Sequence, residues 1–499
     1  MRTYSKSKLL ALRQCPKRLW LELHRPELRA DSAATAASFR VGFKVGDIAR
    51  QIYDPDGLGA LIDVAVEGFG PAFARSAELL QSNQTIFEAG FSAGGALAFA
   101  DVMLPEQRDG QQVWRMVEVK SSTSVKGYLR DDVAVQAFVA KSAGVPLDSI
   151  ALAHIDSSWT YPGDGDYRGL LKENDLTAEA FARAEEVKGW ISQAQAIDAS
   201  PSEPLMETGP HCDEPYACGF IGHCSRDEPQ SEFPISWLPR FAADKVRDLA
   251  KQGVNDLRNL PDELLNAKQQ RVKDHTLAKS VFFDADGAAA DLKAHTLPAY
   301  FLDFETIQFA VPIWKGTRPY QQNTFQFSLH VLSASGELEQ TAFLDISGND
   351  PSEPFAQALV AACAVLGPVY VYNAGFETAR VRELAARYPY LSDQLLAINA
   401  RVVDLLPIAR ERYYHPSQEG SWSIKKVLPA VVPELRYDAL VGVQDGGMAM
   451  EAFLEAIHSD TLPERKRQIE EQLLEYCKLD TYAMVRLWQV FAGRTDLKL

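Results

Sequence analysis

The chain has 499 residues, room for about three domains at ~150 residues each. Hydrophobic residues make up 46% and charged residues 24%, ordinary globular proportions that exclude a chain disordered along its length. Its net charge of −16 excludes a generic basic nucleic-acid coat and suits an enzyme that gathers carboxylates at metal sites. No apolar run reaches the ~18 to 20 residues of a membrane helix; the best stretch, 359–372, is broken by Gly367-Pro368. The opening MRTYSKSKLL lacks the apolar core of a secretory signal, so a cytoplasmic location without membrane attachment is expected.

In chain order, residues 1–29 carry eight Lys or Arg against Glu22 and Glu27, a basic patch. Residues 5–23 are expected as one helix with leucines at Leu9, Leu12, Leu19 and Leu23, and 38–52 as another. From Ile86 the period changes to two. IFEAGFSAGGALAFADVML and VWRMVEVKSST are expected strands, separated by a polar turn PEQRDGQQ. Asp101 would close the first pair, and Glu118-Val119-Lys120 the next strand, with Glu118 and Lys120 on one face. Two acids at adjacent strand ends make a hard oxygen site for Mg²⁺ or Mn²⁺. The lysine beside them can orient the attacking water and offset phosphate charge. Helical patterns follow at 131–143 and 177–198, then a loop-rich segment with Cys212, Cys218 and Cys224. With Cys15 these make four thiols, which suit either a 4Fe–4S cluster or structural Zn²⁺. Cys363 and Cys477 sit in apolar or helical sequence and are expected in cores.

CPKRLWLEL, GFKVGDIA, FAD, EVK and the triple cysteine, in that order, resemble the RecB-like PD-(D/E)XK nucleases that carry an iron–sulfur cluster, the group of the Cas-four-type exonucleases and the AddB nuclease domain. The resemblance covers 1–230. It implies a restriction-endonuclease-like α/β core, Asp101 and Glu118 as metal ligands, Lys120 as a catalytic residue and a 4Fe–4S cluster on Cys15, Cys212, Cys218 and Cys224. The sequence departs from that pattern at Gly46-Asp47, where a metal-binding His is usual, and at Ala140, where a Tyr would follow Gln136. Gln136 is expected near the phosphate.

Residues 231–297 are expected as a small helical connector, helix–hairpin–helix-like around Gly253, or else a purely structural link. The domain 298–499 opens with the strand YFLDFET, which projects Asp303 and Glu305 to one face. Such a pair can bridge two divalent ions. In the last helix the apolar face runs Leu473, Cys477, Asp480, Met484, Leu487, so Asp480 needs a neutralising partner there. Tyr476, one turn earlier, can aim its hydroxyl at an attacking water. Asn373, Phe376 and Glu377 open a helix after the buried strand VYVYN. Together these motifs resemble the tyrosine subtype of DEDD exonucleases, which implies a ribonuclease H-like α/β fold and 3′→5′ two-metal hydrolysis with Asp303, Glu305, Glu377 and Asp480 as ligands. Glu377 stands where that family has Asp, and Asp404 is expected as a non-catalytic strand Asp. Lys425 and Lys426 fall near the expected substrate path.

The whole order resembles an uncharacterised bacterial family known by its domain make-up. The expected function is a metal-dependent nuclease with two sites acting on DNA, as single strands or duplex ends. The competing expectations are an RNA exonuclease, and an iron–sulfur nucleic-acid-binding or redox-sensing protein with degenerate sites.

Overall fold

Period-two hydrophobicity and glycine turns build the sheet of the first unit. The computed structural model describes residues 2–226, 228 and 231–497. They divide into two units, Met1–Glu228 with Phe309–Gln321, and Pro229–Gln308 with Gln322–Leu499. Both units are α/β. Among the described residues, the sheet of the first unit has seven strands: β1 (Tyr4–Ser5), β2 (Ala60–Leu61), β3 (Ile86–Ala93), β4 (Ala96–Arg108), β5 (Gln111–Lys120), β6 (Leu147–Ile155) and β7 (Leu171–Asp175). Their order is β2-β3-β4-β5-β6-β7, with β1 beside β4. The expected long polar turn is instead a two-residue hairpin. Asp109 and Gly110 take φ 52° and 75°, the paired positive values that match the twist of the flanking strands. β4 and β5 therefore run on to Arg108 and from Gln111, and Asp101 lies inside β4 rather than at its end.

The helix expected over 5–23 is two helices, α1 (Lys6–Gln14) and α2 (Pro16–His24). Cys15 between them is extended, at φ −160° and ψ 124°, because a residue before proline is pushed out of the helical region. Pro16 then opens α2, where its missing N–H costs nothing. All eight basic residues of 1–29 are ion-paired. Arg2 meets Asp198, Lys6 Glu118, Lys8 Glu22, Arg13 Asp131, Lys17 Glu203, Arg18 Glu22, Arg25 Glu27 and Arg29 Asp31. The expected basic patch is thus neutralised within the unit. Further helices of this unit include α3 (Ala33–Tyr53), α4 (Gly127–Ser142) and α5 (Ala184–Asp198). α4 joins parallel strands β5 and β6. It is buried on most sides, from Leu129 through Val133 to Ala140.

In the second unit, β8 (Phe282–Phe283) pairs with β14 (Tyr413–Tyr414). The main sheet holds β9 (Ala299–Ile307), β10 (Asn323–Leu332), β11 (Leu338–Leu344), β12 (Val369–Val371) and β13 (Val402–Asp404). Its order is β11-β10-β9-β12-β13, antiparallel on one side of β9 and parallel on the other. Alternation along β9 sends Tyr300, Leu302 and Phe304 into one core and Ala299 and Phe301 into another. The second face is covered by the long terminal helix. The helices used below are α6 (Gly375–Arg387), α7 (Ile424–Val431) and α8 (Pro463–Phe491). Phe301 meets Trp488 of α8 edge to face at 5.8 Å. Ile235, Leu238, Leu257, Leu260 and Val272 join this same core, so the connector 231–297 is built into the second unit. Among the described residues no helix is long and apolar enough to cross a membrane.

Phe355 packs edge to face against Phe304, Phe327 and Phe343 at 5.1, 5.3 and 5.7 Å. Phe355→Ala should cost ~3 to 5 kcal/mol, read as a lower urea midpoint with an unchanged slope.

Candidate functional site

β9 places Asp303 and Glu305 on the face that α8 covers, and the apolar stripe of α8 carries Asp480 to the same point. One ligand oxygen from each lies within 4.8 Å of the others. Glu305 is 8% exposed and Asp480 6%, so three carboxylates share a poorly hydrated space. The surrounding groups are tuned to that charge. Tyr437 donates to Asp480 Oδ1 at 2.6 Å, and the Cys477 thiol stands 3.8 Å from Asp303 Oδ2. Lys425 of α7 holds its ammonium 5.2 Å from the Tyr476 ring and 5.4 Å from the Tyr437 ring, donating to the Gln444 carbonyl at 2.9 Å.

Burial and then the Asp480 charge push Glu305 up to about 8, against the pull of Lys425. Asp480 is raised to about 6 by burial, and the Tyr437 hydroxyl and Lys425 hold it below that of Glu305. Asp303 is driven well up by burial and by Asp480, Glu305 and Glu377. Burial likewise raises Tyr476 far above an ordinary phenol, so its hydroxyl keeps its proton. Glu377, in the first turn of α6, is 3% exposed and raised to about 8 by burial. Its Oε2 has no hydrogen-bond partner among the described residues. Glu377 stands outside the 4.8 Å trio but within its field. Asp404 accepts from the Asn373 and Ala374 amides at 2.9 and 3.0 Å. It holds the turn into α6, where Asn373 takes φ 76°. Tyr437 had no sequence signal, since it sits in an irregular stretch.

The first unit brings Asp101, Glu118, Lys120 and Gln136 together, with Lys6 and Asp132 among them. Glu118 is fully buried. Its Oε1 accepts from Lys6 at 2.8 Å and from Lys120, and its Oε2 accepts from Gln136 Nε2. Asp132 bridges the two ammoniums, Oδ1 to Lys6 at 3.0 Å and Oδ2 to Lys120 at 2.8 Å. Asp101 Oδ2 accepts from the Val119 amide at 2.6 Å. Burial works against the charge of both lysines, but Asp132 and Glu118 outweigh it and both are raised. Asp101 is pushed well up by burial and by Glu118. Asp132 lies one helical turn before Gln136, a spacing that could have found it; Lys6 was visible only as one charge of a patch. Asp47 pairs with Arg50 on an exposed stretch of α3 and takes no part.

The cysteines correct the iron–sulfur expectation. Cys15, Cys212, Cys218 and Cys224 do line one enclosure, but its volume is about 10 Å³, the space of roughly one water. Among the described residues, Asp303, Glu305 and Asp480 form a metal-ligand group of three within 4.8 Å, and no three of these cysteines do. Burial raises Cys212, Cys218 and Cys224 above an ordinary thiol. The ligand set the chain does assemble is all-oxygen.

A family model described as a domain of unknown function (DUF2779) matches residues 300–423. No curated protein matches the chain. The matched segment carries Asp303, Glu305 and Glu377 and stops short of Asp480. The expected membership in RecB-like PD-(D/E)XK nucleases with an iron–sulfur cluster, fused to a DEDD exonuclease, is corrected accordingly: the match names neither family, and the cysteines make no cluster site.

A carboxyl raised in the folded state stabilises at low pH and loses that contribution as pH rises through its folded value. Metal-free protein should therefore lose stability between about pH 5 and 8, the window set by Asp480 near 6 and Glu305 and Glu377 near 8. The loss should be on the order of a few kcal/mol. Urea midpoints in EDTA across this range will test it, and Glu305→Gln should flatten the upper part of the curve.

Proposed function

We propose that the chain is a metal-dependent nuclease that hydrolyses phosphodiester bonds of DNA, at single strands or duplex ends, through two separate sites. The observation that carries this reading is the convergence of Asp303, Glu305 and Asp480 within 4.8 Å in a buried setting. An all-carboxylate set of this kind suits a hard divalent cation. A cation held by these three residues would supply Lewis-acid polarisation of a phosphoryl oxygen and a more acidic water.

The chain's own groups supply the rest. Tyr476 keeps its proton and offers a neutral donor to the attacking water or to a phosphate oxygen. Glu377 presents an unpartnered oxygen that can accept the water's proton. Lys425 offsets charge developing on the leaving oxygen, and Tyr437 fixes the Asp480 carboxylate in one orientation. In the first unit, Lys120 is the group placed to balance phosphate charge, and Asp132 and Glu118 keep it an ammonium. The sheet order of the second unit supports a ribonuclease H-like reading of that unit. The β3–β4–β5 meander followed by a parallel crossover to β6 supports a restriction-endonuclease-like core in the first. Six free cysteines suit the reducing cytoplasm.

Single-stranded DNA carrying a different label at each end, incubated with Mn²⁺, provides the test. Asp303→Asn and Lys120→Ala should each slow release of a different label by about 100-fold or more, and the double variant should release neither. Wild-type protein that leaves both labels intact overturns the reading. Cleavage of RNA of the same sequence, with DNA spared, moves it to a ribonuclease.

A further inference from the structure

A cavity of about 340 Å³ opens in the second unit between β10, β11 and α8. Antiparallel register sets His330 against Gln340 and Leu332 against Leu338. Alternation therefore brings His330, Leu338 and Gln340 to one face of the sheet. α8 covers that face with Glu475, Lys478, Leu479 and Tyr482, spaced i, i+3, i+4 and i+7. They form a different stripe of the helix from the one that carries Cys477, Asp480 and Met484 inward. Leu440, just after the 3₁₀ turn Tyr437–Ala439, closes the remaining side. Asp303, Glu305 and Asp480 are not among the lining residues.

Three leucines and the Tyr482 ring give the cavity apolar walls, and its floor is polar. His330 is 4% exposed. Its Nδ1 stands 2.8 Å from Thr481 Oγ1, and its Nε2 has no hydrogen-bond partner among the described residues. Burial and then the Lys478 charge lower His330 to about 4, so the ring is neutral near pH 7. A neutral imidazole offers Nε2 as donor or acceptor, according to its tautomer. Gln340 donates from Nε2 to Ser328 Oγ at 3.3 Å and to the Thr341 carbonyl at 3.1 Å, which leaves its Oε1 to accept. At the mouth Lys478 pairs with Glu475 at 3.3 Å, so the entrance carries both signs and no net charge.

These features select the ligand. Apolar walls with a few polar groups on one side suit a flat ring, and a neutral floor behind a balanced mouth favours an uncharged one. A nucleobase is flat and uncharged, and it sets donors and acceptors side by side along one edge. That edge matches Gln340 Oε1 together with His330 Nε2 in either tautomer. We propose that this cavity binds a nucleobase, with its edge on His330 and Gln340 and its face against Leu479 and Tyr482. The choice of a base over other flat heterocycles rests on the nuclease reading, which brings strands and released nucleotides to this unit. A base can arrive as a free nucleoside or at the end of a strand, and the experiment separates the two.

The test titrates the full chain, in EDTA, into aminopurine riboside, a fluorescent adenine analogue whose emission falls when its ring is stacked. Saturable quenching is expected. His330→Phe keeps a ring beside Tyr482 and removes both nitrogens, and should weaken binding roughly tenfold. Leu440→Trp fills the cavity from a half-buried position and should abolish the quenching, so the site is tested without touching the buried His330 contacts. A second arm places aminopurine at one end of a thymidine strand. Quenching of the riboside alone assigns the cavity to free nucleosides, and quenching of both extends it to strand ends. Absence of quenching in both arms, or quenching that survives both substitutions, overturns the proposal. Wild-type cleavage of labelled DNA with Mn²⁺ keeps the two readings apart. Quenching of the expected pattern without cleavage removes the nuclease reading alone, and cleavage without quenching removes this proposal alone.

Discussion

Carboxylates held in poorly hydrated space without enough positive charge are the constraint around which both units are organised. An isolated buried carboxylate is expensive enough that it takes up a proton or finds a partner. The second unit crowds three of them between β9 and α8. It surrounds them with hydroxyls and a single lysine rather than with matching cations. The core is arranged to permit this. Phe301, Trp488 and Tyr370 fill the same face beyond the acids, and Phe304 and Phe355 brace the opposite one. The acids are thus fixed in position by packing on both sides of one strand.

The first unit meets the same problem with a different mixture. Two lysines enter its cluster, one from β5 and one from the start of α1, and Asp132 ties them together. Direct ion pairs of this kind fix geometry, and their net energy stays small because both partners lose water. The two clusters therefore differ in how much positive charge the polypeptide itself supplies. The first draws two ammoniums into direct ion pairs, and the second sets one ammonium beside its tyrosine rings.

What was legible in the sequence follows from period. Asp303 and Glu305 lie two apart on a strand and so share a face. Asp480 interrupts an apolar stripe with helical spacing, which marks it as buried and in need of a partner. Glu118 and Lys120 were visible for the same reason as the β9 pair. Groups delivered by irregular segments or by distant chain carried no such signal, as with Tyr437 in a short 3₁₀ turn and Lys6, which reaches Glu118 across the sheet. The break at Cys15-Pro16 and the Asp109-Gly110 turn were both written in local chemistry. A smooth helical pattern and a longer polar run masked them. Cysteine spacing told which thiols meet around one enclosure. It carried no information on the distance between sulfurs, which decides whether metal is held.

The ion pairs of the amino-terminal segment bear on the order in which the first unit can be made. Residues 2–24 insert β1 beside β4 and tie Arg2, Tyr4 and Lys17 to Asp198 and Glu203. A ribosome delivers domains from the amino end at ~5 to 20 residues per second. The segment therefore leaves the ribosome roughly 10 to 40 seconds before its last partners exist. Through that interval Arg2 and Lys17 wait for Asp198 and Glu203, while Lys8 and Arg18 have Glu22 within the segment. The earliest part of this unit to be synthesised is thus among the last to settle.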